Sequence, residues 1–510
     1  MRNDRRRLAL VSLLTVFGML LGQFAAAQDA TPVASPVTAE NSAPVLLFTS
    51  DGMRPDFIER YSAAGVTPTF AEMIEGAVMG ENGLLQAFPP NTGTGWATLS
   101  TGTWPGEHGS VNNTFYRTGD SDFNNRTSAF DPGVLQAQTI AQAAEQYGKS
   151  VVAIHWTGTG GLVPALNGPA IDYWSSYSFS TVLANFELDA ASAYQNVTLS
   201  EASGWSNAPE SFSPPMEQQL VIGTNDEAVN PERAYDLYIY DSSDDDTVNY
   251  DRLMVVPAAA PAAVSTTASP AASTVSTPEA TPSIDEGAGK DGSAAVADLA
   301  VGDWQDVKVM LTGEMDGLTA GFHLKLIDLS PDASSFRIYS TAIARANASY
   351  NGCNYADGCA EPDGFAERIA SGFPSATGSD YFPLQNGLID EGTYVEQGLM
   401  AIEATDAYLD FIISDLGVDP DLLMVGAPVT DEFSHQFLAL VTENGPGGIV
   451  NPRYDDANND GQPDGLVETR EAHIQAAYAE TDSLLAHSMA LLGEDANVMV
   501  SSDHGFAPQW

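Results

Sequence analysis

The chain has 510 residues, with 19 Lys and Arg against 68 Asp and Glu, which gives a formal net charge of −49. At about 150 residues per domain, this length leaves room for three folding units with a large core. The negative charge argues against a module that binds DNA or RNA through phosphate contacts, because its field repels a polyanion. A hydrophobic fraction of 44% excludes a wholly disordered chain.

The N-terminus is typical of an export signal followed by a linker. Four arginines among the first seven residues precede a largely apolar run over residues 8–22, and residues 25–27 are alanines. We therefore predict a signal peptide over residues 1–27, a linker over residues 28–43 and a secreted or periplasmic protein. The alternative is an uncleaved N-terminal membrane anchor, and no other segment is long and apolar enough to span a bilayer.

Strand-like apolar runs alternate with helical patterns in two parts of the chain. This alternation predicts an α/β domain with a mostly parallel sheet flanked by helices, which we place in residues 44–196 and 346–510. The predicted strands are Val45–Thr49, Val151–Ile154, Leu422–Val425 and Val498–Val500. The predicted helices are Thr139–Tyr147, Val395–Leu416 and Glu471–Leu492, each followed by a glycine.

The middle of the chain has a different pattern, rich in alternating, β-branched and aromatic segments. We predict that residues 197–345 form a β-rich insertion that splits the α/β domain. Within it, residues 257–297 are rich in Ala, Pro, Ser and Thr, which predicts a disordered segment. The strand-like segments are Tyr235–Tyr240, Val307–Leu311, Phe322–Leu329 and Phe336–Tyr339.

Acidic and histidine side chains follow three of the predicted strands. Asp51 comes directly after the first strand, and Asp503 and His504 follow the last. Asp431 and His435 follow the third, and their spacing of four residues puts them on one face of a helix. Because the carboxyl ends of parallel strands lie at one edge of a sheet, we expect these groups to meet there. Carboxylate and imidazole groups are zinc ligands, so the pattern predicts a metal site.

A Thr- and Gly-rich segment over residues 90–102 supplies candidate nucleophiles. Its glycines allow the backbone to approach a ligand closely, and a metal can ionise a threonine at a helix start. By itself, the segment also fits an ordinary polar loop.

Taken in chain order, these motifs resemble the type I phosphodiesterase/nucleotide pyrophosphatase family of the alkaline phosphatase superfamily. The similarity covers about residues 44–160 and 385–508 and leaves out the predicted insertion. The family's nucleophilic Thr lies ten residues before the Gly of a Thr-Gly pair, and counting back from Gly102 gives Thr92. The family's phosphate-binding Asn comes five residues after the His of the next His-Gly pair, and counting forward from His108 gives Asn113.

The resemblance implies an alkaline-phosphatase-like fold and two divalent metal ions, with zinc as the expected metal. The implied ligands are Asp51, Asp503, His504 and the Thr92 oxygen for one ion, and Asp431 and His435 for the other. The family's third protein ligand to the second ion would lie beyond Trp510. We therefore expect the α/β domain to be incomplete at its C-terminal end.

The implied mechanism begins with attack of Thr92 on phosphorus, which forms a phosphothreonine that water hydrolyses. Asn113 would hold a non-bridging oxygen of the phosphate. The family's Phe-Pro-Asn-His-Tyr is replaced here by residues 93–97, which leaves Thr94 as a second candidate nucleophile. We expect Glu432 to be a charged, solvated neighbour rather than a general base.

A separate acidic segment matches the first part of a calcium loop, with a glycine at the sixth position. Its candidate ligands are Asp456, Asn458, Asp460 and Asp464. Val467 stands at position twelve, where an EF-hand needs Glu. The segment is therefore interpreted as an isolated Ca²⁺ loop or, equally, as an acidic turn between helices.

Together, these features predict a secreted two-metal phosphohydrolase that cleaves phosphodiesters or nucleotide pyrophosphates through a phosphothreonine. Its expected partner is a small-molecule phosphate ester, with no nucleic-acid-binding module and no membrane span beyond the N-terminal signal. One alternative is a phosphomonoesterase or phosphonate hydrolase of the same superfamily. Another is a catalytically incomplete extracellular binding protein.

Overall fold

The computed structural model is built on one large mixed sheet flanked by helices. It describes residues 43–508 except for 81–82, 159–161, 163–164, 191, 193, 260–288 and 353–363. The predicted signal peptide and all but the last residue of the predicted linker lie outside the described residues.

The strands and helices are numbered here in chain order. The strands are β1 (Val45–Ser50), β2 (Thr114–Phe115), β3 (Thr127–Ser128), β4 (Val151–Ile154), β5 (Ala170–Ser176), β6 (Thr181–Ala184), β7 (Gln195–Asn196), β8 (Ser200–Glu201), β9 (Met216–Ile222), β10 (Arg233–Tyr240), β11 (Arg252–Pro257), β12 (Ala297–Leu299), β13 (Trp304–Met310), β14 (Thr319–Leu329), β15 (Phe336–Ser340), β16 (Ala344–Ser349), β17 (Leu422–Ala427) and β18 (Asn497–Ser501). The helices are α1 (Pro55–Ala63), α2 (Pro68–Gly76), α3 (Thr92–Thr101), α4 (Pro105–His108), α5 (Ile140–Gln146), α6 (Phe365–Gly372), α7 (Tyr381–Gln385), α8 (Glu391–Leu409), α9 (Val429–Val441) and α10 (Val467–Leu492).

Five neighbouring strands of the large sheet, in the order β18-β1-β17-β4-β5, are parallel. Val45 of β1 pairs with Leu422 of β17 on one side and with Asn497 of β18 on the other. Because these strands share direction and register, their carboxyl ends reach the same edge of the sheet. The predicted α/β class is confirmed, and strands β16, β14, β15 and β6 add antiparallel pairs at the far side.

The middle of the chain contributes strands to two sheets. Strands β8–β12 form a five-stranded antiparallel sheet in the order β12-β11-β10-β9-β8, whereas β13–β15 belong to the large sheet. The predicted domain boundaries stay predictions. Residues 260–288, most of the predicted disordered segment, lie outside the described residues, and a 3₁₀ turn over Gly292–Ala294 precedes β12.

Polar side chains cap two of the helices that flank the sheet. Thr139 accepts a hydrogen bond from the backbone N–H of Gln142, and Gln142 accepts one from the Thr139 backbone N–H, which forms a capping box at α5. Asp390 caps α8 by accepting the Thr393 N–H at 2.7 Å. This cap explains why α8 begins four residues before the predicted start, and α8 continues into a π-helical turn over Asp410–Asp415.

The largest core lies between the parallel strands and helices α8, α9 and α10. Phe48 of β1, Phe433 of α9 and Tyr478 of α10 are fully buried in it. Burial on both faces accounts for the near-continuous apolar sequence of β4 and β17. Among the described residues, no helix combines the length and apolar character that a membrane crossing requires.

Gly426 lies where β17 passes close to the end of β4. A Cβ atom at this position would lie 2.0 Å from the backbone oxygen of His155 and 3.0 Å from the ring of Trp96. We expect Gly426→Ala to lower the free energy of unfolding by about 1–3 kcal/mol, because the added methyl group overpacks the site.

Urea unfolding of the purified protein measures this loss. Gly76→Ala is the matched control, since a Cβ at the end of α2 would meet no described residue within 4 Å other than its chain neighbours and its own helix. It should stay within about 0.5 kcal/mol of wild type. Equal effects of the two substitutions would contradict the close approach of β17 and β4.

Candidate active site

The ends of β1 and β18 bring Asp51, Asp503 and His504 together. Each offers one ligand atom, and these atoms all lie within 4.8 Å of one another. All three residues are buried. Gly52 turns the chain after β1 with a φ of +59°, and its N–H donates to Asp503 Oδ1 at 3.1 Å. A glycine suits this turn, because other residues adopt a positive φ at a cost.

Within the described part of the chain, three buried carboxylate oxygens of this centre have no hydrogen-bond donor: Asp51 Oδ1, Asp431 Oδ1 and Asp503 Oδ2. They lie 3.2, 3.9 and 3.4 Å from Nε2 of His504. Three buried carboxylates around a single imidazole are costly unless a further cation compensates their charge. Oxygen and imidazole ligands in this arrangement suit a divalent cation, so the residues present fit a metal ion.

Asp431 and His435 lie on the first turns of α9, beside this centre. His435 Nε2 is 3.3 Å from Asp431 Oδ2, and its half-exposed ring packs edge-on against Phe506 at 4.6 Å. Gly52 leaves room for the carboxylate, because a Cβ there would lie 2.6 Å from Asp431 Oδ1. Within the described ranges, the pair is not part of a second three-ligand group, and its predicted metal stays a prediction.

The carboxylates of this centre and the imidazole of His504 shift one another's pKa values. Burial alone lowers the pKa of His504, but the carboxylates of Asp51 and Asp503 outweigh this and raise it to about 9. Burial, together with the charge of Asp51, raises the pKa of Asp503 well above its ordinary value. Burial also raises the pKa of Asp431, although His435 opposes the shift. Without a cation, the centre therefore retains protons that a metal would displace.

Thr92 stands at the first position of α3, facing this centre. Its Oγ1 lies 3.4 Å from His504 Nε2, and the side chain is partly exposed. Asn91 caps the helix by accepting the Thr94 N–H at 3.3 Å. Thr94 itself is fully buried, and its hydroxyl makes no hydrogen bond among the described residues. Access to substrate therefore favours Thr92 over Thr94 as the nucleophile.

Two glycines let α3 approach the neighbouring loops. A Cβ at Gly95 would lie 2.3 Å from the backbone oxygen of Asp503, and a Cβ at Gly93 would lie 2.5 Å from the Cβ of Ala129. The Gly93 N–H donates to Oδ1 of Asn113 at 2.7 Å, which places the exposed Asn113 beside the helix start. The close packing of α3 against these loops therefore requires glycine at both positions.

Sequence reasoning missed Trp96. This fully buried residue of α3 donates its indole N–H to Asp51 Oδ2 at 2.9 Å. A signal for it was present, because a buried indole N–H needs an acceptor and Trp96 lies one helical turn after Thr92.

The expectation of a solvated Glu432 is wrong. The residue is only partly exposed, and its Oε2 accepts the Ser379 N–H at 3.3 Å. Its backbone oxygen accepts a hydrogen bond from the Tyr394 hydroxyl of α8 at 2.8 Å. Burial raises the pKa of Glu432 to about 7. The packing of α9 against α8, which the sequence pattern does not reveal, is the reason.

The calcium-like loop directs its carboxylates toward its own backbone and toward one arginine. Asp456 accepts the N–H groups of Asp460 at 3.0 Å and Gly461 at 2.9 Å. Asp464 Oδ2 lies 2.7 Å from Nη2 of the buried Arg470. The remaining candidates, Asn458 and Asp460, each accept a backbone N–H of the loop. Calcium binding there stays a prediction.

Comparisons with known proteins bear on the family and the fold of the chain. A family model described as type I phosphodiesterase / nucleotide pyrophosphatase matches residues 45–239 and 339–509, more than half of the chain. The first matched segment extends into the predicted insertion as far as residue 239. The match confirms the family resemblance and the fold class that the motifs predict.

A crystal structure of phosphonoacetate hydrolase from Sinorhizobium meliloti, in complex with phosphonoformate, is similar over a short region. The identity is 24%, the similarity covers 22% of this chain and 26% of that chain, and the TM-score is 0.19. A likeness of this extent carries no argument about activity. No curated protein matches the chain significantly.

Arg470 is a buried cation shared by three acids. Its guanidinium lies 2.7 Å from Glu391, 2.7 Å from Asp464 and 3.6 Å from Asp455, and so ties the calcium-like loop to α8 and α10. We expect Arg470→Met to lower the free energy of unfolding by about 3 kcal/mol, because it leaves the acids without their partner.

Urea unfolding measures this effect as well. Arg60→Met is the matched control, because Arg60 pairs with Glu471 at 2.9 Å on the surface and should lose at most about 1 kcal/mol. A small and equal effect of both substitutions would show that Arg470 does not hold the loop.

Metal affinity should rise with pH. Because the pKa of His504 is about 9 in the metal-free protein, the imidazole is protonated at neutral pH and must release a proton to become a ligand. Each displaced proton weakens binding about tenfold per pH unit below that value. We expect Zn²⁺ affinity to increase at least about tenfold from pH 6.5 to 7.5, as measured by competition with a chelator.

Asp415→Asn, which changes an exposed acid at the end of the π-helical turn, should leave this dependence unchanged. Asp503→Asn should weaken zinc binding throughout. A zinc affinity that does not change over this pH range would argue against His504 as a ligand.

Proposed function

Because the chain belongs to the type I phosphodiesterase/nucleotide pyrophosphatase family, we propose that it is an exported, metal-dependent phosphohydrolase that cleaves phosphodiesters or nucleotide pyrophosphates. One observation carries the proposal: the Thr92 hydroxyl lies 3.4 Å from Nε2 of His504, which belongs to one possible metal-ligand group with Asp51 and Asp503. A hydroxyl held beside such a ligand group is the arrangement of an activated nucleophile. The basic and apolar sequence of residues 1–27 supports export.

Two ligand sets would hold the metals. Asp51, Asp503 and His504, together with the Thr92 oxygen, would bind one divalent cation, and Asp431 and His435 would contribute to a second. The mixed oxygen and nitrogen ligands favour zinc. When bound, the cations would lower the pKa of the Thr92 hydroxyl and stabilise the oxygen of the leaving group.

Thr92 performs the covalent step. Its deprotonated Oγ1 attacks phosphorus in line, a new O–P bond forms, and the bond from phosphorus to the leaving alkoxide or phosphate breaks. Water then attacks the phosphothreonine, which releases the phosphorylated product and returns the Thr92 hydroxyl. A position at the start of α3 suits this role, because the N-terminal end of a helix favours negative charge.

Asn113 would steady the transferred group. Its Oδ1 is held by the Gly93 N–H at 2.7 Å, so the amide NH₂ is the part of the side chain left for a non-bridging phosphate oxygen. The donor is thereby fixed relative to Thr92, which precedes Gly93 in α3. Preorganised donors of this kind stabilise the charge that develops in the transition state.

The charge of the protein supports metal dependence. A chain with a formal net charge of −49 and three acids in its centre repels a phosphate diester. Bound cations would reverse the local field at the point where the substrate must approach.

Thr92→Ala tests the nucleophile. With zinc present, the wild-type protein should hydrolyse bis(p-nitrophenyl) phosphate, and Thr92→Ala should lower kcat on the order of 10³-fold or more. Release of p-nitrophenolate measures the rate. Thr94→Ala is the matched control on the same helix and should retain activity, because its hydroxyl is buried.

Retained activity in Thr92→Ala with loss in Thr94→Ala would show that the motif is aligned two residues too early. If neither substitution lowers the hydrolysis rate, the proposed role of Thr92 as nucleophile is wrong. Rates on p-nitrophenyl phosphate, a dinucleoside pyrophosphate and phosphonoacetate, from the same preparation, identify the preferred substrate class. A higher rate on the monoester or the phosphonate would overturn the diester proposal.

A further inference from the structure

Trp96 joins the helix of the nucleophile to the metal-binding centre. Its indole is 1% exposed, and the N–H donates to Asp51 Oδ2 at 2.9 Å. An indole N–H can only donate, and a hydrogen bond to a carboxylate is stronger than one between neutral groups. The bond therefore engages one oxygen of Asp51 and leaves Oδ1, which lies 3.2 Å from His504 Nε2, as the oxygen available to a metal.

The indole is held firmly by its surroundings. Trp156 packs edge-on against it, with ring centroids 5.2 Å apart and an angle of 88° between the planes. Gly426 lies close to the ring on β17, at a position where even a Cβ would come within 3.0 Å. Trp156 is fixed in turn, because its N–H donates to Ser100 Oγ at 2.8 Å.

The position of Trp96 on α3 links its hydrogen bond with Asp51 to the candidate nucleophile Thr92. Trp96 lies four residues after Thr92, so both side chains project from the same face of the helix, one turn apart. One end of this turn presents the hydroxyl near His504, and the other binds Asp51 of β1. A rigid helical turn thus connects the nucleophile to a metal ligand.

We propose that Trp96 is a positioning residue that presents Asp51 as a one-oxygen metal ligand and fixes that ligand relative to Thr92. The inference rests on the proposed function, because it assumes a divalent cation at Asp51, Asp503 and His504. Residues that orient metal ligands through hydrogen bonds commonly change metal affinity by about 10–100-fold when they are replaced.

The test compares Trp96→Phe with Trp156→Phe in the full chain. Zinc affinity is measured by competition with a chromophoric chelator, and urea unfolding of the metal-free protein reports stability. Trp96→Phe should weaken zinc binding at least about tenfold. Trp156→Phe keeps an aromatic ring against Trp96 and removes the N–H that binds Ser100, so it should keep the wild-type affinity. At saturating zinc, Trp96→Phe should also lower kcat with little change in KM.

Trp96→His keeps a ring N–H donor and should recover part of the zinc affinity, which also provides a second variant if the phenylalanine variant does not fold. An unchanged zinc affinity in Trp96→Phe, or an equal loss in Trp156→Phe, would overturn the positioning role and leave the proposed function intact. A wild-type protein that takes up no zinc would overturn both.

Discussion

The meeting of buried acids at the ends of adjacent parallel strands is the constraint on which the site depends. Asp51 and Asp503 follow β1 and β18, and Asp431 lies one helical turn beyond β17. In a buried environment, these like charges repel one another and lose their hydration. In the metal-free protein, bound protons and His504 offset part of this cost, which the raised pKa values of Asp503 and His504 reflect.

The surrounding structure holds the acids in place against this repulsion. The Gly52 N–H binds Asp503 and the Trp96 indole binds Asp51, so one oxygen of each carboxylate is hydrogen-bonded and the other has no hydrogen-bond donor among the described residues. Gly52 and Gly95 also allow the contributing segments to approach more closely than side chains would permit. The site therefore depends on the absence of side chains at these glycines as well as on its ligands.

Much of the parallel half of the fold was predictable from the sequence. The run at Leu422–Val425 is buried on both faces of the sheet, and the run at Val45–Thr49 is buried on one face and partly buried on the other. Such strands are recognisable as continuous apolar segments. Residues directly after them were therefore expected at one edge. The start of α8 was missed because it depends on a cap at Asp390, which local hydrophobic pattern does not show.

The parts of the site that the sequence did not reveal arise from contacts between distant segments. Trp96 reaches Asp51 because α3 packs beside β1, and Glu432 is shielded from solvent because α8 packs against α9. Neither packing arrangement follows from residue spacing. Likewise, the two candidate nucleophiles, Thr92 and Thr94, are distinguished by the burial of their side chains, which the sequence does not show.

The location of β1 between β17 and β18 determines when the site can form. Gly52 and Asp503, which share a hydrogen bond, are 451 residues apart in the chain. During synthesis from the N-terminus, Asp51 and Thr92 emerge early but lack partners until β17 and β18 have been made and have joined β1. Such long-range strand pairing is slow to form. The order of chain growth therefore makes assembly of the ligand group a late event, so that uptake of a metal by the group would report completion of the sheet.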